Sequence, residues 1–486
     1  MAEYYLFASG GAGIKTAIAV VLLAAAGYTP FKNIEQQSGW LRRNNVTRDY
    51  NHSITIIPCD IDINSAQRER LEMLHKQQAY LRRVYNNGKM LEIKIDDSIR
   101  FSNDKADGIT LNDMVGGHYD NPLVKSLFDP AQCQKTNIDG TEGDMQLGSF
   151  FASRFITDAA LKTLFKDYPE RDRYIAFSGS VYGGTGASVT PTAYRLVKNF
   201  FENHASGKMD TLFTGTNTQG CILMLPYFSI PADSNNIAVE SPEHTPRTKA
   251  ALGKISQLRP DYTALVGAKQ RTMKIGGGTD DKAIVAKGSR RQLNPLMPED
   301  IVAAMAVFDF FTRIHQNEEV YVEATNSSLF TDLPDGQELA VCTKRLNYFL
   351  KMLKFYYVHN EKNNRTTSFS GFYNRTQTAA NDENYLSIIG HHVYGGDDEY
   401  KNRNNLLNAL QEVEWNCPGE NQTTGSILGG FSDVDDFRDI ADTRAGRQDR
   451  VAIERIYKAM HKFSAGNTDN FVGYLWEYTC RFFTNQ

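Results

Sequence analysis

The chain of 486 residues lacks any paired-cysteine spacing. Its six cysteines, Cys59, Cys133, Cys221, Cys342, Cys417 and Cys480, are scattered. That pattern argues against a disulfide framework or a zinc site and favours reduced thiols in a cytoplasm. There is no basic surplus either: 53 Lys and Arg against 57 Asp and Glu leave a net charge of −4. A general nucleic-acid binder is thereby disfavoured, although a local basic patch would fit. No apolar run is long enough to span a bilayer. The stretch from Ala17 to Ala26 imitates a signal-peptide core, but Glu3 precedes it and only Lys15 is positive, so the basic n-region is missing. The expectation is a cytoplasmic protein without a membrane span, in which the Asn-x-Ser/Thr triplets at Asn45 and Asn364 carry no meaning. Internal repeats and low-complexity tracts are absent too. With 41% hydrophobic and 23% charged residues the chain reads as globular, and its length suggests about two to three domains.

The first 315 residues alternate strands with helices. Tyr4 to Ala8 is a short apolar strand, Ser9-Gly10-Gly11-Ala12-Gly13 a tight glycine turn, and Ile14 to Ala26 a buried helix. Ser53 to Pro58 is a second strand, followed by a charged helix over 66–84. Residues 85–140 are polar and read as a surface insertion. A helical pattern resumes from Gln146 to Phe165. Further strands end at Phe177, run from Cys221 to Tyr227 and run from Tyr262 to Ala268. Helices follow Val189 and Arg247, Lys269 to Arg291 is a loop, and Pro298 to His315 is a long apolar helix with proline in its first turn. This order predicts an α/β fold: a parallel, Rossmann-like nucleotide-binding sheet with a long central helix. Residues 316–486 read as an α+β accessory domain with helices at 338–358, 403–413 and 449–463.

Three features converge on chemistry. The stretch Gly183-Gly184-Thr185-Gly186-Ala187-Ser188 sits between a strand and a helix. Glycines let backbone approach a phosphate, and a helix start aims free N–H groups at it. The turn at Ser9–Gly13 has the same context, and a structural turn is an equal reading of it. It is neither a strict dinucleotide fingerprint, since Thr16 stands where a third glycine belongs, nor a P-loop, since no Gly-Lys-Ser/Thr follows. Asp60 and Asp62 end a strand, where a carboxylate takes a ribose hydroxyl or hydrated magnesium; alternatively one of them caps the next helix through Asn64 or Ser65. Two other polar clusters read as ordinary structure. His391 and His392 are adjacent and would point to opposite faces of a strand. Asp433-Val-Asp435-Asp436 lacks calcium-loop spacing.

Gly183 to Ser188 resembles the signature loop of the tubulin/FtsZ superfamily, G-G-T-G-[ST]-G, with Ser188 in place of the last glycine. Gly10 to Gly13 resembles the first phosphate loop of that family. Pro58 to Asn64 resembles the segment after its second strand, and Gly143 to Phe151 its γ-phosphate loop, with Ser149 where bacterial tubulin-like proteins place an arginine. Leu225 to Phe228 and Asn294 to Phe311 resemble the strand ending in Pro-Phe and the central helix. The resemblance covers residues 1 to about 320.

What the resemblance implies is GTP or GDP with Mg2+, held by Ser9, Gly10, Gly11, Ala12, Gly13, Asp60, Asp62, Gly148, Gly183, Gly184, Thr185, Gly186, Ala187 and Ser188. Asn294 and Glu299 are the candidate acceptors for guanine. It also implies head-to-tail self-assembly, with hydrolysis at the subunit interface. The acid would come from Asn317, Glu318 and Glu319, although a solvated helix end is an equal reading of that segment. Protein partners would bind through the C-terminal domain. Two alternatives stand beside it: a Rossmann-type dinucleotide-dependent enzyme, and a non-hydrolysing scaffold with structural nucleotide.

Overall fold

The structure is a computed structural model. It describes residues 2–36, 44–62, 65–84, 90–101, 109–117, 120–136, 144–167, 169–205, 213–226, 228–229, 241–267, 271–272, 295–312 and 318–323, most of 338–350, 405–415, and Trp476. Seven parallel strands form the central sheet: β1 (Glu3–Ser9), β4 (Ser53–Cys59), β5 (Glu92–Ile95), β6 (Arg173–Ser180), β7 (Asn217–Met224), β9 (Tyr262–Gly267) and β11 (Glu318–Glu323). Their order is β11-β9-β7-β6-β1-β4-β5. Two small pairings lie outside it: β2 (Lys32–Gln36) with β3 (Asn44–Arg48), antiparallel, and β8 (Phe228–Ser229) with β10 (Arg271–Thr272), parallel.

Parallel strands covered on both faces read as continuous apolar runs, because both side-chain directions are buried. In β1, alternate residues divide between two cores. Tyr4, Leu6 and Ala8 join Ile54, Ile56, Ile222 and Met224 beneath α1 (Gly10–Ala25), α2 (Ala66–Val84) and α10 (Pro298–Thr312). Tyr5 and Phe7 join Ile57, Ile175, Phe177, Cys221 and Leu223 on the opposite face. That face is covered by α6 (Met145–Phe155), α7 (Asp158–Phe165), α8 (Gly184–Ala205) and α9 (Ser241–Leu258). The short helices α3 (Leu111–Met114), α4 (Pro122–Leu127) and α5 (Pro130–Gln134) occupy the polar stretch. The expected α/β class with a parallel Rossmann-like sheet is therefore present.

α1 is apolar on all sides because it is enclosed on all sides: every residue except Gly11 and Ala12 is buried. It ends in a Schellman turn. Tyr28 N–H donates to Leu23 O, Gly27 N–H donates to Ala24 O, and Gly27 sits at φ +78. Arg345, from far along the chain, donates to Ala26 O at 2.6 Å and lies over the Trp476 ring at 5.2 Å. A cation there complements the negative end of the helix. The described pieces beyond residue 330 do not form a core of their own. Leu339, Leu346, Phe349, Leu407, Leu410 and Trp476 belong to the hydrophobic cluster that contains α1 and α10.

Several sequence expectations need correction. The glycine stretches are mostly helix: α1 begins directly at Gly10, and α8 at Gly184 after a short link over 181–183. The helical stretch from Gln146 to Phe165 is two helices, because Ile156 leaves helical geometry and the Thr157 hydroxyl accepts the Ala160 N–H to start α7. The polar insertion contributes an edge strand, β5. The segment after the central helix is β11, paired parallel with β9, so the sheet continues past residue 315. The clusters at His391–His392 and Asp433–Asp436, and the helix expected over 449–463, lie outside the described residues.

Gly220 lies mid-strand in β7 because Phe310 of α10 rests on it. A Cβ at Gly220 would come within 2.7 Å of the Phe310 ring. Gly220→Ala is expected to destabilise the protein by about 1–3 kcal/mol through overpacking. Urea unfolding measures this, and a stability within error of wild type would show that α10 does not pack there.

Candidate functional site

The chain leaves β1 toward β4 on one side, and β6 takes up the other side of β1. The carboxyl ends of β1 and β6 thus flank the topological switch point, where ligands sit in open α/β sheets. Each of these strands runs into a glycine-rich helix start. Ser9 pairs with Gly179, so the two starts rise side by side.

Gly10 adopts φ +65, a left-handed conformation that favours glycine. A Cβ on Gly10 would lie 3.0 Å from both Gly186 N and Thr185 Cβ, so the α1 and α8 starts are in contact. Other glycines are required by packing. A Cβ at Gly13 would overlap the Ser178 carbonyl oxygen, one at Gly186 would lie 2.7 Å from Ser180 N, O and Oγ, and one at Gly179 would overlap Thr190 Oγ1. Gly11 differs, because nothing lies within 4 Å of the position its Cβ would take. Its missing side chain leaves open space at the helix start.

The donors follow from helix geometry. Ser9 stands at the N-cap of α1 but makes no side-chain cap bond. In α8 the Ala187 N–H closes on Gly183 O at 3.1 Å, so the N–H groups of Gly184, Thr185 and Gly186 precede the helical ladder. Gly183, Gly184 and Thr185 are partly exposed, whereas Gly186, Ala187 and Ser188 are buried. The Ser188 hydroxyl turns back to Gly184 O at 2.7 Å and Thr185 O at 3.1 Å. Ser188 therefore spends its donor inside α8, and the outward part of the stretch is 183–185. Three buried hydroxyls at these strand ends, Ser9 Oγ, Ser178 Oγ and Thr190 Oγ1, have no partner among the described residues. Buried polar groups are rarely left so without a water or ligand.

On the other side of β1, Cys59 pairs with Ser9, so Asp60 leaves the sheet next to Gly10. Asp60 and Asp62 are 6% and 5% exposed. Burial pushes the Asp60 carboxyl above the usual carboxylate range, against the Ser65 hydroxyl, the Asp62 and Ile61 N–H groups and the Arg68 charge, which pull it down. The Asp62 N–H lies 3.3 Å from Asp60 Oδ1. The start of α2 is capped by Ser65, whose Oγ accepts the Arg68 N–H at 3.4 Å. Ser65 thus caps α2 while its hydroxyl also bonds the Asp60 carboxyl, so Asp60 is tied to the start of that helix, as the capping alternative expects.

Gly148 does not join this group as a loop donor. It lies inside α6, its N–H is held by Asp144 O at 3.0 Å, and Asp144 Oδ1 caps the helix by accepting from Gln146 and Leu147. A carboxylate already occupies that helix start. Lys15 is no Walker lysine: it is buried and lies 3.1 Å from Asp300 of α10. Glu299 is fully buried in the first turn of α10, and Asn294 lies outside the described residues. Asn317 also lies outside them, while Glu318 and Glu319 open β11. β11 is four strands from β1, about 19 Å at about 4.8 Å per strand. These acids cannot act at the glycine helices of the same protomer.

Ser178, Thr190 and the special position of Gly11 were not visible in the sequence. A serine in the apolar strand Arg173–Ser180 was the only hint, and its place beneath the paired helix starts depends on strand register. Among the described residues, no three His, Cys, Asp or Glu side chains are grouped to hold a metal ion, and no helix is long and apolar enough to cross a membrane. Compared with known proteins, the chain matches no family model and no curated relative.

Because the Asp60 carboxyl titrates above its unfolded value, ionising it costs stability as pH rises from the ordinary carboxylate range through its raised folded value. Asp60→Asn is therefore expected to raise Tm at pH 7, with the gain shrinking as pH falls toward the ordinary carboxylate range. Thermal melts across pH measure this. A pH-independent difference would mean that the Asp60 charge is not opposed by the fold.

Proposed function

We propose that the chain is a tubulin/FtsZ-like GTP-binding protein that assembles head-to-tail. The observation that supports this reading is the contact of Gly10 with Thr185 and Gly186, which brings two helix starts side by side, where one anion would meet both. Each start contributes roughly +0.5 elementary charge, so the pair supplies about one positive charge without a lysine. Adjacent phosphates of a diphosphate suit two adjacent starts. The open space over Gly11 admits a phosphate oxygen to the backbone. Asp60 and Asp62 lie on the flank where they would take a ribose hydroxyl or a magnesium ion hydrated and shared with the phosphates. Guanine would be read near the start of α10, by Glu299 or Asn294.

Hydrolysis belongs to the assembly in this reading. Glu318 and Glu319 begin an edge strand far from their own protomer's glycine helices, so a second copy must bring them to the nucleotide. Heterologous stacking of this kind closes into a ring or continues as a filament. Filament growth in the cytoplasm, and recognition of other proteins through the region beyond the sheet, complete the proposal. The strand order and the acids at the end of β4 equally suit a dinucleotide enzyme of the Rossmann type. The second glycine helix start favours GTP, because a dinucleotide fingerprint uses one.

Mass analysis of the nucleotide that co-purifies is expected to find GDP or GTP; NAD in its place would move the assignment to the dinucleotide reading. Gly11→Val is expected to lower GTP affinity by about two orders of magnitude, or about 2.8 kcal/mol, with Tm unchanged, since its side chain enters open space. Gly13→Ala is expected to do the reverse and lose stability outright. Calorimetric titration and melting of both variants check the pair, and a Gly11→Val protein that binds GTP normally would remove the α1 start from the site. Glu319→Ala should leave affinity intact and slow phosphate release at concentrations where GTP-dependent light scattering and electron microscopy detect filaments. An unchanged rate would exclude Glu319 from turnover.

A further inference from the structure

The turn from Pro295 to Asp300 that opens α10 is held from three directions. From α1, Lys15 Nζ lies 3.1 Å from Asp300 Oδ2 and donates to Pro295 O at 3.4 Å. Within the turn, the Met297 N–H donates to the same Asp300 oxygen at 2.8 Å. From the helix Leu406–Trp415, more than a hundred residues away, Glu412 Oε2 accepts the Leu296 N–H at 2.9 Å. That oxygen also lies 2.8 Å from Nη1 of Arg70 in α2. A further bond fixes the start of the distant helix to α2: the Leu406 N–H donates to Gln77 Oε1 at 3.1 Å. All four charged groups are buried, Lys15, Arg70 and Asp300 at 5% exposure or less and Glu412 at 9%.

Buried ion pairs add little net stability, because desolvation offsets the attraction; a register role is their best-attested use. Here they set the position of one turn against three helices. Lys15 lies five residues beyond Gly10, about 7.5 Å along α1 at 1.5 Å per residue. Arg70 lies in the first turns of α2, just after Asp60 and Asp62. The α1 wall of the proposed anion seat and its acidic flank at Asp60 and Asp62 therefore lead into this junction. A displacement of α1 carries Lys15, and with it Asp300 and the turn. A displacement of the turn moves the Leu296 N–H, and with it Glu412 and the distant helix.

We infer that Lys15 and Glu412 are positioning residues: through the Pro295–Asp300 turn, an anion at the α1 start and docking of the Leu406–Trp415 helix favour each other. The inference rests on the anion-seat reading of the glycine helices. Linkage makes the effect reciprocal: whatever the ligand adds to docking of the helix, the docked helix adds to affinity for the ligand.

Hydrogen exchange of the full chain, read by mass spectrometry with GDP and with inorganic pyrophosphate as probes, tests it. The paired variants Lys15→Met with Asp300→Asn, and Arg70→Met with Glu412→Gln, leave no lone buried charge. Asp300→Asn keeps the turn's own bond, since a side-chain amide oxygen still accepts the Met297 N–H. Glu412→Gln likewise keeps an acceptor for the Leu296 N–H. In the wild type, GDP is expected to slow exchange over 406–415 by about tenfold, within the usual range of coupling between sites. In each paired variant GDP should still bind, about tenfold more weakly, and the slowing should vanish. A purely structural junction would alter melting and leave the response to GDP in place. GDP binding with no change over 406–415, or paired variants that bind and respond as wild type, would overturn the linkage alone. Failure of the wild type to bind either probe would overturn the anion seat, and the linkage with it.

Discussion

Gly10 rests against Thr185 and Gly186, and this close approach of two backbones organises the upper edge of the sheet. It requires that β1 and β6 be neighbours, that β1 pass directly and β6 through the short link 181–183 into a helix, and that no side chain stand between them. The packing glycines at 13, 179 and 186 meet the last requirement, because a Cβ at any of them would strike backbone or a buried hydroxyl. Two helix starts are thereby brought to one place with their N–H groups ahead of the helical ladders. In the proposed anion seat the positive charge would come from backbone N–H groups, which leaves Lys15 to its ion pair with Asp300.

Lys15 instead ties α1 to its neighbour in the same layer. It reaches Asp300 in α10, and the same turn of α10 meets Glu412, which meets Arg70. At the other end of α1, Arg345 donates to the Ala26 carbonyl. The glycine helix is thus held at both ends by residues far along the chain, and its apolar sequence follows from its enclosure on all sides. A helix with a solvent face would show polar residues on one side. The acids at the end of β4 complete the site from the flank, kept buried although the fold opposes the Asp60 charge.

Much of this was legible in the sequence. The strand–glycine–helix order at residues 3–25 and 173–205, the helix at 66–84 and the start of α10 at Pro298 follow from apolar runs, periodicity and turn residues. The missed elements share a cause. β5 is four residues long and β11 reads Glu-Glu-Val-Tyr-Val-Glu; both are edge strands, with little of the apolar run that marks a buried strand. The break between α6 and α7 depends on one residue, Ile156, leaving helical geometry.

The class of fold, the two glycine-rich helix starts and the pair of carboxylates can be read from short segments, because local backbone preferences and side-chain periodicity are local properties. Which of those residues come together depends on the folded chain. It turned Ser188 and Gly148 inward to their own helices, left Gly11 open, gave Lys15 to Asp300 and placed Glu318 and Glu319 four strands from β1. These outcomes depend on strand register and on contacts between residues distant in the chain, which no local pattern encodes.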